Sequence, residues 1–299
     1  MKNQSKATPS IIEELRPGQS IELLKELHIL TREGKLNQDT RRKLKQVYHL
    51  YQFIEPLLKG VLHANAAFTL ADHGAGKSYL GFILYDLFFN VAHAGQQPSG
   101  HPQGHIYGIE TRPELVEKSR ALAVRLGFER MTFLNLSVAD ATTSPDLPER
   151  IDIVTALHAC DTATDDAIAF GLAKGAQHMV LVPCCQAEVA GVLKKSKALN
   201  LSRTPLAELW RHPLHTREFG SQITNVLRCL QLEASGYQVT VTELVGWEHS
   251  MKNELILASK SALRPDKTGA AQLRLQQVLH ELGLAELQRR FAVPAQSSY

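Results

Sequence analysis

From residue 66 onward, short apolar runs alternate with longer segments in which apolar residues recur every three or four positions. The apolar runs predict strands and the longer segments predict amphipathic helices. The predicted strands lie near 66–72, 105–110, 131–136, 151–157, 178–183, 237–245 and 254–259. Such alternation favours an α/β fold, in which helices cover both faces of a mostly parallel, doubly wound sheet.

The helices of this region also follow from the pattern. They are predicted near 77–90, 112–127, 162–174, 186–197, 204–211 and 218–235. No helix separates the last two strands, which are joined by residues 246–253 alone. These two strands should therefore pair antiparallel, which gives a seven-stranded sheet with an antiparallel last strand.

Helical patterns precede and follow this region. Helices are predicted from Ser20 to about Thr31, over about 38–60, and over 268–292. We therefore expect an N-terminal helical region at 1–62, a catalytic domain at 63–260 and a C-terminal helical extension at 261–299.

The composition suits a cytoplasmic protein with a full core. Of 299 residues, 44% are hydrophobic and 21% charged, and no apolar run is long enough to cross a membrane. The first residues, Met-Lys-Asn-Gln-Ser, lack the apolar core expected of a signal peptide. The four cysteines do not resemble an extracellular disulfide framework, which favours a reducing compartment. The net charge of +3 permits an RNA partner without requiring one.

One cluster of cations bears on that partner. Arg41, Arg42, Lys43 and Lys45 crowd the first two turns of the predicted helix over 38–60. They are either a solvated helix face or a contact to RNA phosphates. Cations near a helix N-terminus oppose its dipole, so local electrostatics do not explain them.

The stretch 68–78 reads Phe-Thr-Leu-Ala-Asp-His-Gly-Ala-Gly-Lys-Ser, an apolar strand that enters a glycine-rich turn before an apolar helix. It differs from a phosphate-binding P-loop only in having Ala71 where that motif has glycine. In a P-loop, Lys77 and Ser78 would hold phosphate and magnesium. A P-loop ATPase also needs a magnesium-binding Asp on a neighbouring strand, and the next strand ends in Glu110 instead.

The alternative is a nucleoside-binding turn, which we favour. Asp72 would end the strand, and Gly74 and Gly76 would let a ligand approach the backbone closely. Glu110 suits a ribose diol, because a carboxylate accepts two hydroxyl hydrogen bonds. Asp140, just beyond the third strand, is placed to contact an adenine amino group.

Two further strand ends carry chemically active side chains. His158 follows the fourth strand, where ligands bind in open α/β sheets, although a histidine there can also be structural. Asp161 is either functional or the N-cap of the next helix.

After the fifth strand come Cys184 and Cys185, for which three roles stay open. They are packing residues, or one is a nucleophile toward a pyrimidine, or they bind a metal with Cys160 and His158.

The later polar positions carry less signal. The turn 248–253 (Glu-His-Ser-Met-Lys-Asn) either closes a hairpin or reaches over the substrate. Asn225, Arg228 and Glu233 lie on a predicted helix and are interpreted as surface or helix–sheet contacts.

Several motifs are shared with a known family. They are Asp72-His-Gly-Ala-Gly-Lys-Ser78, Glu110, Asp140, His158-Ala-Cys-Asp161, Pro183-Cys-Cys-Gln186 and the turn 248–253. Over about residues 40–260 the chain resembles class I S-adenosylmethionine-dependent methyltransferases, which have a Rossmann-like sheet. More narrowly, it resembles the methyltransferase-domain family that includes tRNA 2′-O-methyltransferases of the Trm13 type.

The resemblance implies S-adenosylmethionine as the cofactor. The cofactor-binding residues that it implies are Asp72, Gly74, Gly76, Lys77, Glu110, Ala139, Asp140 and Leu157. Asp72 and the two glycines would hold the methionine end, and Glu110 would hold the ribose hydroxyls. Asp140 and Ala139 would lie against adenine.

The resemblance also implies a catalytic set, with His158 and Asp161 beside the methyl donor. Methyl transfer from a sulfonium is an in-line displacement, so the acceptor must be aligned and must lose a proton. His158 or Asp161 is the candidate base, whereas a carbon acceptor would use Cys184 or Cys185. We expect a heteroatom of RNA as the acceptor, with a protein side chain as the alternative.

Overall fold

The computed structural model describes residues 14–92, 103–157, 161–184, 186–196, 203–244, 254–261 and 265–294. Its strands are β1 (Ala67–His73), β2 (Gln103–Glu110), β3 (Met131–Asn135), β4 (Ile153–Leu157), β5 (His178–Val182), β6 (Tyr237–Glu243) and β7 (Glu254–Lys260). Every strand predicted from the sequence is present, with ends that differ by one or two residues.

The strands form one sheet in the order β3-β2-β1-β4-β5-β7-β6. Strands β1 to β5 are parallel, and β7 is antiparallel to both β5 and β6. This confirms the predicted doubly wound sheet. Because β1 lies between β2 and β4, the chain connections diverge there, and ligands bind in the crevice that such a switch point creates.

Helices cover the sheet and extend it at both ends of the chain. They are α1 (Ile21–Glu26), α2 (Gln38–Ala64), α3 (Tyr79–Tyr85), a π-helix (Asp86–Val91), α4 (Pro113–Leu126), α5 (Val138–Thr143), α6 (Ala163–Ala173), α7 (Glu188–Ser196), a 3-10 helix (Pro205–Trp210), α8 (Pro213–Ala234), α9 (Pro265–Glu281) and a 3-10 helix (Ala285–Leu287).

Several helices differ from the prediction. Helix α1 ends at Glu26 and not near Thr31, α2 continues to Ala64, and α9 ends at Glu281 and not at 292. The helix predicted at 77–90 begins only at Tyr79, because Ser78 has a left-handed backbone with φ of 52°. The short α5 is not predicted by any periodic pattern. Helix α8 begins at Pro213, five residues earlier than expected from 218, since proline is compatible with the first turn of a helix.

Apolar side chains fill both faces of the sheet. On one face α1, α2 and α3 pack through Leu23, Ile54 and Phe82. On the other face α6 packs through Phe170. A third cluster joins α7, α8 and α9 around Leu227. No helix in the described ranges is long and apolar enough to cross a membrane.

Helices α7 and α8 meet at Gly220. A Cβ atom at this glycine would lie 2.6 Å from the Cβ of Ala190 and 2.7 Å from its Cα. Backbone atoms cannot give way without separating the helices, so only glycine fits. Gly191, which follows Ala190 in α7, has free space instead, because a Cβ atom at Gly191 would have no neighbour within 4 Å.

We therefore expect opposite effects from the same substitution at these two glycines. Gly220→Ala should lower the free energy of unfolding by about 1–3 kcal/mol through overpacking. Gly191→Ala should raise it by up to about 1 kcal/mol, because alanine favours the helix. Urea denaturation measures both, and equal changes in the two variants would contradict the close helix contact.

Candidate active site

Strand β1 runs into a turn whose conformation depends on glycine. Gly74 has φ of 68° and Gly76 has φ of 58°, both in the left-handed region. The Ala75 amide donates to the Ile109 carbonyl oxygen at 3.0 Å and ties the turn to β2. A Cβ at Gly76 would approach only the Arg112 guanidinium, at 3.7 Å, and the Gly74 carbonyl oxygen, at 4.0 Å. The backbone of the turn is therefore open to a ligand.

Asp72 lies beneath this turn and is only 2% exposed. Its Oδ1 accepts a hydrogen bond from the Thr155 hydroxyl at 2.9 Å, and its carboxylate also accepts one from the Gly81 amide in the first turn of α3. Burial raises the pKa of Asp72 to about 7, against the effect of these two donors. Asp72 thus caps α3, a role that the side chain of Ser78 does not take. Its contact with the methionine end of a cofactor stays a prediction.

The environment of Ser78 argues against a P-loop. Its side chain is fully buried, and its hydroxyl has no hydrogen-bond partner. A Cβ at Gly81 would lie 2.6 Å from that hydroxyl, so the hydroxyl faces α3 and cannot reach magnesium in the turn. Lys77 is exposed and lines a separate cavity of about 400 Å³ between the end of α1 and α4. The predicted contact between Lys77 and the cofactor stays a prediction.

Glu110, at the end of β2, reaches across to the glycine-rich turn. Its Oε2 accepts from the Gly76 amide at 2.8 Å. The Arg112 guanidinium donates to both oxygens, with Nε at 3.0 Å from Oε1 and Nη2 at 3.1 Å from Oε2. Burial alone would raise the pKa of Glu110, but these donors outweigh it and lower the pKa to about 2. Glu110 is therefore ionised at neutral pH beside the open turn.

The predicted adenine contacts, Ala139 and Asp140, lie in the first turn of α5, and both are exposed. The Ser137 hydroxyl accepts from the Asp140 amide at 3.2 Å and donates to Asp140 Oδ2 at 2.5 Å. Asn135 donates from its side chain to the Glu110 carbonyl oxygen at 3.0 Å, which joins the ends of β2 and β3. These residues therefore lie at the carboxyl edge of the sheet, and the adenine contact itself stays a prediction.

At the end of β4, Leu157 is half-buried and lies opposite Val182, whereas His158 lies outside the described residues. Asp161 has φ of 51°, and its Oδ1 accepts from the amides of Ala187 and Glu188 at 3.0 and 3.3 Å. Asp161 therefore caps α7, not the helix that directly follows it. Its role as a base stays a prediction.

A cavity of about 530 Å³ lies beside the carboxyl end of β5, between α8 and the ends of β6 and β7. Cys184 and Gln186 line it on the β5 side, and Cys185 lies outside the described residues. The carboxylates in its wall are Glu218, Glu243 and Glu254. Cys184 thus faces a space large enough for a methyl acceptor.

The metal-binding alternative depends on His158, Cys160 and Cys185, which are not among the described residues. Within the described part of the chain, no three His, Cys, Asp or Glu side chains are grouped so that they could hold a metal ion. The turn 248–253 also falls outside the described residues, so its two interpretations remain predictions.

Arg228 is not a surface residue, and here the structure corrects the sequence interpretation. The side chain is fully buried, and Nε and Nη2 each lie 2.7 Å from an oxygen of Asp165. Nη2 also donates to the Asp161 carbonyl oxygen at 2.9 Å, and Nη1 donates to Asn225 Oδ1 at 3.1 Å. Asn225 does make a helix–sheet contact, because its amide donates to Glu254 at 2.7 Å.

This network joins the loops that follow β4 and β5. The Gln186 side chain lies 3.0 Å from Asn225 Oδ1 and 2.6 Å from the Ser221 hydroxyl. Arg228 therefore fixes part of the cavity wall through Asn225. No local sequence motif predicts this network, because Arg228 and its partner Asp165 are 63 residues apart.

His73 is a second residue that the sequence pattern does not single out. It is 5% exposed, and neither ring nitrogen has a hydrogen-bond partner. Its ring lies 5.7 Å from that of Phe170. Burial lowers the pKa of His73 to about 4, so the ring is neutral at pH 7. An unpaired buried imidazole beside the glycine-rich turn is a candidate ligand contact.

The residues at this edge fit a nucleoside cofactor. At Gly76 the only side chain that approaches the backbone of the turn is that of Arg112, and Glu110 supplies an ionised carboxylate next to the turn. Both lie at the point where the sheet connections diverge, which is where open α/β sheets bind nucleotides. S-adenosylmethionine would supply an electrophilic methyl group, and the glycine-rich turn and Glu110 would hold its nucleoside part.

Solved structures with a similar fold include methyltransferases of several kinds. One is a putative O-methyltransferase from Klebsiella pneumoniae, 12% identical, covering 83% of this chain and 93% of that chain with a TM-score of 0.46. Magnesium protoporphyrin IX methyltransferase from Synechocystis PCC 6803 is 15% identical, with coverages of 81% and 95% and a TM-score of 0.43. An rRNA methylase from Streptococcus thermophilus is 9% identical, with coverages of 66% and 88% and a TM-score of 0.37. At these scores we rest no inference on the likeness.

The family is shown by sequence instead. No curated protein matches the chain significantly. A family model described as a methyltransferase domain matches residues 42–192, just over half of the chain. That match covers α2 from residue 42, the glycine-rich turn, Glu110 and the loops after β4 and β5. The chain therefore belongs to this methyltransferase-domain family, and it is an S-adenosylmethionine-dependent class I enzyme as its motifs predict.

Proposed function

We propose that this methyltransferase acts in the cytoplasm and transfers the methyl group to a nitrogen or oxygen atom of an RNA, with tRNA and rRNA as the first candidates. The observation that carries the RNA assignment is a set of exposed cations at the start of α2. The Trm13-type resemblance supports the same class of substrate.

Helix α2 begins with a capping box formed by Asn37 and Thr40, so its first turn is well fixed. Arg42, Lys43 and Lys45 follow, and all three are exposed. No salt bridge joins any of the three to an acidic side chain within the described part of the chain. A row of uncompensated cations is what phosphate contact needs.

The methyl acceptor would enter the cavity of about 530 Å³ beside β5. Its nucleophilic atom must align with the methyl group and lose a proton. We assign proton removal to His158 or Asp161, as the motifs predict. Cys184 and Cys185 would act as nucleophiles only on a pyrimidine carbon.

Removing two of the α2 cations should weaken RNA binding. We expect Lys43→Ser with Lys45→Ser to reduce affinity for labelled bulk tRNA several-fold. The slope of log K against log salt concentration should fall by about 1–2, because each phosphate contact contributes about 0.7–0.9. Fluorescence anisotropy at several salt concentrations measures both quantities.

The matched control removes two exposed lysines from another surface. Lys194 and Lys195 end α7 and are exposed like the α2 pair. Serine at both positions should leave the affinity and the salt slope near those of the unmodified protein. Equal losses from the two double variants would point to non-specific attraction and would remove the support that α2 gives to an RNA substrate.

A protein substrate is the second candidate, and the cavity wall favours it. Glu218, Glu243 and Glu254 would attract a positively charged nitrogen such as that of a lysine or arginine side chain. Incubation with radiolabelled S-adenosylmethionine, total RNA and total protein distinguishes the candidates. Label that is removed by ribonuclease supports RNA, whereas label removed only by protease supports the protein substrate.

A further inference from the structure

The Glu110 carboxylate has no free acceptor site in this structure. Oε1 accepts from the Thr111 hydroxyl at 3.3 Å, from the Arg112 amide at 3.1 Å and from Arg112 Nε at 3.0 Å. Oε2 accepts from the Gly76 amide at 2.8 Å and from Arg112 Nη2 at 3.1 Å. A carboxylate offers about four lone-pair sites, so two ribose hydroxyls can bind only if existing donors leave.

The guanidinium of Arg112 is the donor that can leave. The amides of Gly76 and Arg112 are fixed by the backbone, whereas the Arg112 side chain is 59% exposed. Its Nη2 also lies 3.7 Å from where a Cβ of Gly76 would be, so the guanidinium covers the open side of the glycine-rich turn. One flexible side chain therefore occupies both features that a nucleoside would use.

Arg112 has another partner close at hand. Glu114, in the first turn of α4, is exposed and attracts the Arg112 charge. A guanidinium that leaves Glu110 therefore keeps a carboxylate neighbour. Because the Arg112 side chain is largely exposed, its guanidinium returns to water beside Glu114 when it leaves Glu110, which limits the free-energy cost of displacing it.

We propose that Arg112 is an internal competitor of the cofactor, which holds the Glu110 carboxylate until ribose hydroxyls displace its guanidinium. The proposal rests on S-adenosylmethionine as the methyl donor and on the predicted contact between Glu110 and ribose. It assigns to Arg112 a role in setting cofactor affinity that no sequence motif indicates.

The test is calorimetric titration of the full chain with S-adenosylhomocysteine. Arg112→Ala should bind about fivefold more tightly than the unmodified protein, because the competing ion pair is gone. Arg120→Ala is the matched control. Arg120 lies on α4, the helix that Arg112 precedes, and pairs with Glu117 at 2.7 Å, but it does not touch Glu110, so its variant should keep the original Kd.

The competition must act through Glu110, and a double variant tests this. In a Glu110→Gln background the guanidinium loses its ionic partner, so adding Arg112→Ala should change the Kd less than twofold. Adenosine, which has the ribose but no methionine part, should show the same fivefold gain in Arg112→Ala. Loss of that gain with adenosine would place the effect elsewhere and overturn the proposal.

The results distinguish failure of the Arg112 proposal from failure of S-adenosylmethionine as the cofactor. An unchanged or weaker Kd in Arg112→Ala, with normal binding by the unmodified protein, would overturn the competitor role and leave the methyltransferase intact. No binding of S-adenosylhomocysteine by the unmodified protein, Arg112→Ala or Arg120→Ala would overturn both.

Discussion

Arg228→Ala is expected to lower the free energy of unfolding by about 3–5 kcal/mol, the cost of breaking a buried ion pair. The variant would leave Asp165, which is only 4% exposed, without its bidentate partner. The Asp161 carbonyl oxygen and Asn225 Oδ1 would each lose one hydrogen bond. Urea denaturation followed by circular dichroism measures the change.

Two further variants show whether the loss comes from an unpaired buried charge. Arg228→Met combined with Asp165→Leu removes both charges and should be less costly than Arg228→Ala alone. Arg274→Ala breaks an exposed pair with Glu233, 2.8 Å apart, and should cost less than about 1 kcal/mol. A loss in Arg228→Ala as small as that in Arg274→Ala would contradict the buried network.

The same network bears on catalysis through the loops that it holds. Arg228 contacts the Asp161 carbonyl, and Asp161 in turn caps α7 after the β5 loop. Residues predicted to be catalytic lie on both loops. A conservative Arg228→Lys variant that remains folded should therefore lose methyl transfer while keeping its affinity for S-adenosylhomocysteine.

The sheet could be predicted because its signal is local. Strands covered on both faces are nearly continuous apolar runs, and β4 and β5 show this well. Polar residues that interrupt such runs, as Asp72 and Glu110 do at the ends of β1 and β2, mark the edge where a ligand is predicted to bind.

What the sequence did not reveal depends on contacts between distant segments. The position of Arg228 on an amphipathic helix predicts a surface or helix–sheet contact, but the side chain is fully buried against Asp165, 63 residues away. Asp86 is likewise buried because it accepts from the Ser20 amide, 66 residues earlier. Arg112 lies two residues from Glu110, yet only the fold brings both against Gly76.

Asp72→Asn is expected to change how stability depends on pH. Burial raises the pKa of Asp72 from 3.8 to about 7, so between these values the folded protein holds a proton that the unfolded chain has lost. Stability contributed by this group is therefore present at low pH and is lost as pH rises from about 4 to about 7. A shift of about three pKa units corresponds to about 4 kcal/mol.

The variant removes this titration while keeping the size of the side chain. Relative to the unmodified protein, Asp72→Asn should gain about 3 kcal/mol of stability between pH 4.5 and pH 7.5, measured by urea denaturation at each pH. The neighbouring His73, whose pKa is lowered to about 4 by burial, changes stability in the opposite direction, and comparing the two proteins cancels its effect. A constant difference across this range would show that Asp72 does not titrate as described.

The same substitution should weaken cofactor binding. If Asp72 serves the methionine end of S-adenosylmethionine, its ionised form is stabilised by the ammonium group there, and asparagine cannot replace that charge. We expect Asp72→Asn to bind S-adenosylhomocysteine more than tenfold more weakly at pH 7.5, although the cofactor-free variant is more stable. A carboxylate that destabilises the free protein but strengthens ligand binding is retained for function. A carboxylate that only caps α3 would not show these two opposite effects.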